Sequence, residues 1–127
     1  MKGSQQLADW ISSGETRALC GQRIFVHTAV TPGRPPLLLI HGYPTASYDW
    51  IRIWPRLAAR HSLYTLDLVG FGLSDKPRRS RYPIEQQADL CTALLGEFRV
   101  GAAHVLAHDY GDTVAQELLA RHAVAVS

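Results

Sequence analysis

The chain has 127 residues, enough for one domain with a real core and too few for two. Apolar residues make up 46% and charged residues 19%, with 10 Gly and 7 Pro, which is the balance of an ordinary globular domain rather than a disordered or fibrous chain. With 13 Lys+Arg against 11 Asp+Glu the formal charge is +2, which builds no field suited to nucleic acid or to an anionic membrane. The one basic run, Arg78-Arg79-Ser80-Arg81, has no aromatic residues interleaved for base stacking and reads as a solvated loop. Cys20 and Cys91 are too distant in sequence to form a metal-ligand pair and suggest no disulfide framework, so a reduced, cytoplasmic chain is the simplest reading. No apolar run approaches the roughly 20 residues that span a bilayer, and Gln5, Gln6 and Asp9 interrupt the N-terminus where a signal peptide would need an apolar stretch.

In chain order, residues 5–12 place Leu7, Trp10 and Ile11 at spacings of three and four, a short amphipathic helix ended near Gly14. Residues 16–20 and 23–30 read as two strands turning at Gly21. After the breaker-rich loop 31–36 comes Leu37-Leu38-Leu39-Ile40, apolar on both faces as in a strand buried within a parallel sheet. Ser47 is expected to cap a helix over about 48–60, with Trp50, Ile51, Trp54 and Leu57 on its inner side. A further apolar strand spans 63–68, and a long loop runs from 69 to 83. Ile84, Ala88, Cys91, Leu95 and Phe98 then mark the core face of another helix, in which Cys91 is a small buried apolar residue. The last strand is expected at 103–107 and the last helix from Tyr110 to His122. Strands alternating with helices predict an α/β fold with a doubly wound, mostly parallel sheet. Ligands bind such sheets at the carboxyl ends of the strands, so the loops after Ile40, Leu66 and Ala107 are the places to look.

The loop after the last strand is Ala107-His108-Asp109-Tyr110-Gly111, with the form small-x-acid-x-small. A sharp strand-to-helix turn crowds the positions two before and two after its centre, and it lifts the central side chain above the sheet. The helix N-terminus beneath offers N–H groups and a positive dipole end that keep a carboxylate ionised, and a desolvated but ionised carboxylate is a usable carbon nucleophile. Taken alone, the loop leaves open whether Asp109 is a nucleophile or an ordinary helix cap. The loop after the central strand is His41-Gly42-Tyr43-Pro44. Here Gly42 permits a tight backbone, and Pro44 fixes the exit at a position where a cis bond is allowed. This geometry aims the Tyr43 N–H at the turn, where it could join that of Tyr110 as an oxyanion hole, while His41 reads as a hydrogen-bonded loop anchor. In the third loop, Asp67 to Pro77, Gly70 and Gly72 are turn positions rather than a dinucleotide fingerprint, since the third glycine and the following helix are missing. Asp67 and Ser74 serve there as local hydrogen-bonding anchors.

Together the three loops resemble the α/β-hydrolase superfamily, in its branch with epoxide hydrolases and haloalkane dehalogenases. His41-Gly42-Tyr43-Pro44 is similar to that branch's HGxP oxyanion loop, residues 67–77 to its DxxGxGxSxxP segment, and residues 107–111 to its aspartate elbow. The likeness covers about residues 36–122, so the whole chain, 1–127, is expected to be the N-terminal part of one such domain. The resemblance implies a hydrolase without metal or cofactor, acting on a small-molecule substrate. Asp109 would form an alkyl-enzyme ester; Tyr43 and Tyr110 would bind oxyanion and substrate; His41, Gly42, Pro44 and Gly111 would shape the loops. Trp usually follows the nucleophile in this branch, and dehalogenases often carry Asn at the HGxP position. Tyr110 and Tyr43 stand here instead, which disfavours dehalogenation and leaves the substrate open. Asp112, in the first helical turn, suits the helix dipole and has no expected catalytic part.

The family's general base is a histidine after the final strand, oriented by a second acid, and its cap domain follows the sixth strand. Neither is expected within these 127 residues, so the chain reads as incomplete for turnover, and an inactive remnant or interaction module of the same fold is the rival expectation. His104 falls on the opposite sheet face from Asp109 by parity, His108 points to the other side, and His122 lies about 18 Å along the last helix. The strand before Asp109 is expected to be left as a bare edge open to self-association.

Overall fold

The computed structural model describes residues 2–78, 82–121 and 125–126. Helix α1 (Lys2–Ser13) leads into the hairpin β1 (Glu15–Leu19) and β2 (Gln22–Ala29), which turns through Cys20 and Gly21, both at positive φ, as a two-residue hairpin loop requires. Then follow β3 (Pro36–Ile40), α2 (Trp54–Ala58), β4 (Ser62–Leu66), α3 (Ile84–Glu97), β5 (Ala102–Ala107), α4 (Tyr110–Arg121) and the short β6 (Ala125–Val126). The sheet order is β1-β2-β4-β3-β5-β6. The hairpin is antiparallel and joins β4 antiparallel, whereas β4, β3, β5 and β6 run parallel. The mostly parallel sheet expected from the alternation of strands and helices is therefore present, and β3 lies at its centre.

β3 shows why its sequence is apolar throughout. Leu38 and Ile40 join Ile24, Val26, Leu66 and the buried faces of α3 (Ala88, Cys91, Leu94, Leu95) and α4 (Val114, Leu118). Leu37 and Leu39 face the other way, against Leu63, Trp50, Trp54 and Leu57. A strand clad on both faces has no use for alternation. Cys91 is fully buried and burial pushes its thiol up to about 12, so it behaves as the small apolar residue expected.

The helix expected over 48–60 is divided. Ser47–Trp50 form one 3-10 turn, residues 51–53 a further turn, and α2 begins only at Trp54. Pro55 is the reason: it has no N–H to continue a helix begun upstream, and it is well placed in the first turn of a new one. Ser47 makes no capping bond. Its hydroxyl instead meets the carboxylate of Asp67, 20 residues away. β5 is also less bare than expected: β6 pairs with Ala102 and Ala103, leaving its partner-free stretch, among the described residues, toward the carboxyl end. Arg79, Ser80, Arg81 and His122 lie outside the described residues.

α1 is held to the sheet by an aromatic cluster. Trp10 stacks on His27 of β2 with centroids 3.8 Å apart and planes 9° from parallel, and Trp54 meets both rings edge to face. His27 is buried, and neither ring nitrogen has a hydrogen-bond partner among the described residues. Burial lowers its pKa, with Asp67 opposing weakly, so the fold demands the neutral imidazole. The unfolded imidazole takes up its proton below about pH 6.5, so this contribution is intact above that pH and is lost as pH falls toward the folded value. In urea unfolding, wild-type stability should fall between pH 7 and pH 5.5, and His27→Phe, which keeps the stack without the titration, should flatten that fall. An unchanged pH dependence in the variant would remove His27 from the account.

Candidate active site

The parallel register that sets β3 beside β5 (Ile40 against Ala107) brings the loops after these strands together at one sheet edge. At the end of β5 the chain turns into α4 within two residues. Asp109 sits at that turn with φ of +54°, a left-handed conformation uncommon outside glycine and typical of a strained functional turn. The turn needs small neighbours, and their crowding is visible. A Cβ added at Gly111 would press on the carbonyl oxygens of Ile40 and His41, 2.7 Å from the latter. One added at Gly42 would lie 2.9 Å from the Cβ of Asp109 and from the carbonyl oxygen of His108. The two loops are thus fitted together glycine to backbone.

The consequence is electrostatic. The N–H of Tyr43 donates to Oδ2 of Asp109 at 3.1 Å from the β3 loop. The N–H of Tyr110, at the start of α4, acts on the same carboxylate. These two amides, Tyr110 first, hold the Asp109 carboxyl below its ordinary pKa, partial desolvation opposes them, and the charge of His108 adds to them. Asp109 is therefore ionised near neutrality, as expected. It is not shielded as expected: the residue is exposed, and no element of the described residues lies over it. His108 is not turned wholly away either, since its ring lies against Gly42. His104 does lie on the opposite face, in register with Leu37 and 6.0 Å from the ring of His61.

The β3 loop is braced from behind by His41, which is fully buried. Its Nε2 accepts the N–H of Leu68 at 3.0 Å, so Nδ1 carries the proton and donates to the Gly42 carbonyl at 2.8 Å. Burial lowers its pKa, with the Gly42 bond, Asp67 and Asp49 opposing, so this neutral tautomer is the one the fold keeps. The anchor expected at His41 thus ties the β3 loop to the loop after β4. The Tyr43–Pro44 bond is cis.

Asp67 is more than the local anchor expected. Its buried carboxylate accepts from the N–H of Ser47 at 2.9 Å, the hydroxyl of Ser47 at 2.6 Å and the N–H of Leu73 at 2.9 Å, and so links the loops after β3 and β4. Ser74 reaches further still, accepting the N–H of Phe25 in β2 at 2.9 Å while donating to the Asp67 carbonyl. Gln87 was not foreseen. Fully buried on α3, its side-chain amide pairs with both the N–H (3.1 Å) and the carbonyl (2.9 Å) of Val69. Its signal in the sequence is the second of two adjacent glutamines, Gln86-Gln87, one position before Ala88 of the apolar stripe.

This strand order, the left-handed aspartate turn and the two converging amides define the class: the chain belongs to the α/β hydrolase fold family, which it matches over residues 35–127. Its similarity then runs to particular proteins. It is 46% identical over 123 residues to the mesoderm-specific transcript homolog protein of Bos taurus, covering 93% of this chain and 37% of that one. It is 40% identical over 119 residues to LipZ of Mycobacterium tuberculosis, named as a hydrolase, covering 93% and 40%. Among solved structures, an α/β hydrolase fold protein from Burkholderia ambifaria superimposes with a TM-score of 0.80 at 37% identity, over 89% of this chain and 41% of that one. A haloalkane dehalogenase loop variant from Bradyrhizobium elkanii does so with a TM-score of 0.80 at 34% identity, over 90% and 37%. The chain thus spans well under half the length of these relatives.

Because the Gly111 position faces main-chain oxygens that have no rotamer to yield, Gly111→Ala should lower stability by about 1–3 kcal/mol, measured by denaturant unfolding. A neutral effect would mean that the elbow and the β3 loop are not packed this closely.

Proposed function

We propose that this chain is the nucleophile-bearing part of a hydrolase in which Asp109 attacks an electrophilic carbon. The observation that carries the reading is the carboxylate of Asp109 received by the amides of Tyr43 and Tyr110 at a strained turn. In the reaction one carboxylate oxygen forms a C–O bond to the carbon of an epoxide. The ring C–O bond breaks with its electron pair on the epoxide oxygen, which takes a proton from water. The product is an alkyl ester on Asp109. Hydrolysis of that ester places negative charge on its former carboxylate oxygen, where the same two amides would stabilise it. The likeness to a haloalkane dehalogenase supports carbon electrophiles in general; Tyr43 and Tyr110, in place of the Asn and Trp that hold halide in dehalogenases, count against a halide, and an epoxide is the electrophile proposed here.

Ester hydrolysis also needs a base to activate water. Among the described histidines, His27 is buried in its stack with Trp10, His41 has both ring nitrogens engaged, His104 lies across the sheet with His61 beside it, and the ring of His108 lies against Gly42. The reading is therefore that this chain alone stops at the ester.

Incubation with a reactive epoxide should give one adduct per chain, located on Asp109 by peptide mass spectrometry, accumulating without turnover. Asp109→Asn, which tolerates the left-handed turn nearly as well as Asp, should abolish the adduct while circular dichroism shows an intact fold. Label on another residue, or an adduct that survives in the variant, would overturn the assignment. Diol formed catalytically would show that a base is present after all.

A further inference from the structure

Three aromatic rings gather at the loops whose amides meet the Asp109 carboxylate, and the middle one, Phe71, has no part in the chemistry so far. Its ring centroid lies 6.0 Å from Tyr43 at an interplanar angle of 89°, 5.7 Å from Tyr110 at 41°, and 5.3 Å from His41 at 68°. It therefore touches both residues whose amides receive the carboxylate, and it bridges the oxyanion loop to the elbow. The loop is built to present it. Gly70 and Gly72 on either side have φ of +92° and +52°, and Asp67 accepts the N–H of Leu73 just beyond. Gly72 packs so closely on the Asp67 carboxylate that a side chain there would displace it. A turn pinned at both ends fixes where the ring stands.

Phe71 is half-buried: part of its ring packs on the core, while Tyr43, whose ring it meets, is exposed. A spacer needed only for packing would be satisfied by burial. Open ring surface at these two loops is a contact surface, and aromatic rings pair best edge to face or offset at centroid separations of about 4.5–7 Å. The existing contacts already use such geometry, with Tyr43 perpendicular to Phe71 and Tyr110 tilted to it. A planar aryl group on the substrate, next to the carbon under attack, could join this cluster with the same geometry; a short alkyl group gains only area.

We infer that Phe71 is a specificity-determining residue that favours electrophiles carrying an aryl group beside the reacting carbon. The inference rests on Asp109 being the nucleophile and names the substrate class for that site.

The test compares styrene oxide with 1,2-epoxybutane as alkylating agents of the full chain, following the Asp109 adduct by mass spectrometry. The readout is the ratio of the two rates, variant against wild type, so that the intrinsic reactivities of the epoxides cancel. Phe71→Ala should lower the ratio about two- to tenfold, mainly by slowing styrene oxide, and Phe71→Tyr should restore it. Phe71→Leu, which keeps the bulk without the ring, should behave as Phe71→Ala and guards against a misfolded alanine variant. Equal slowing with both epoxides, or a ratio unchanged in Phe71→Leu, would overturn the inference. If Asp109 takes no label from either epoxide, the nucleophile reading fails on its own terms. The contact is then decided by NMR titration with unreactive 1-phenylethanol: shifts in the Phe71 ring and the Tyr43 and Tyr110 amides uphold the aryl site, and their absence refutes it.

Discussion

Two main-chain N–H groups, from Tyr43 and Tyr110, converge on one carboxylate, and most of the local architecture is a means of holding them there. Neither amide belongs to a side chain that could swing into place. Each is fixed by where a strand ends and by how tightly the next turn is wound. The parallel pairing of β3 with β5 sets the two strand ends side by side, and the small residues Gly42 and Gly111 let them approach to backbone contact. The left-handed conformation of Asp109 is the local cost of aiming a charged side chain at that spot, and it is sustained because both flanking loops are constrained.

Those constraints come from polar groups buried behind the site. His41 joins the β3 loop to Leu68, Asp67 joins Ser47 to Leu73, Ser74 joins the same loop to β2, and Gln87 holds Val69 from α3. A buried donor or acceptor left without its partner costs about 1–3 kcal/mol, so each link is stiff against displacement. The network explains how a site made of loops can stay pre-organised: the loops are tied to one another and to the sheet. The aromatic contacts of Phe71 form its outer layer.

Much of this was legible in the sequence because it depends on local steric rules. The run Leu37 to Ile40 can only be a strand covered on both faces, and Ala107 and Gly111 around Asp109 announce a turn that excludes larger side chains. The bond from Ser47 to Asp67 was not legible, since a serine before an apolar stretch reads as a cap and nothing local tells it to reach across 20 residues. Pro55 in fact carried the signal that the helix would restart, and the amphipathic pattern on both sides of it hid that signal. Gln87 was hidden by the apolar stripe around it. The exposure of Asp109 was misread for a different reason: burial depends on what covers a residue, which the motif around it does not encode.

The central claim is that the paired amides hold the Asp109 carboxylate ionised. It is tested most directly by NMR titration of the carboxyl carbon of Asp109, together with the amide nitrogens of Tyr43 and Tyr110. The account predicts a carboxyl that titrates below the ordinary aspartate value of about 3.9, with both amide resonances shifting in the same step. An ordinary midpoint, or amides that stay still while Asp109 takes its proton, would contradict it.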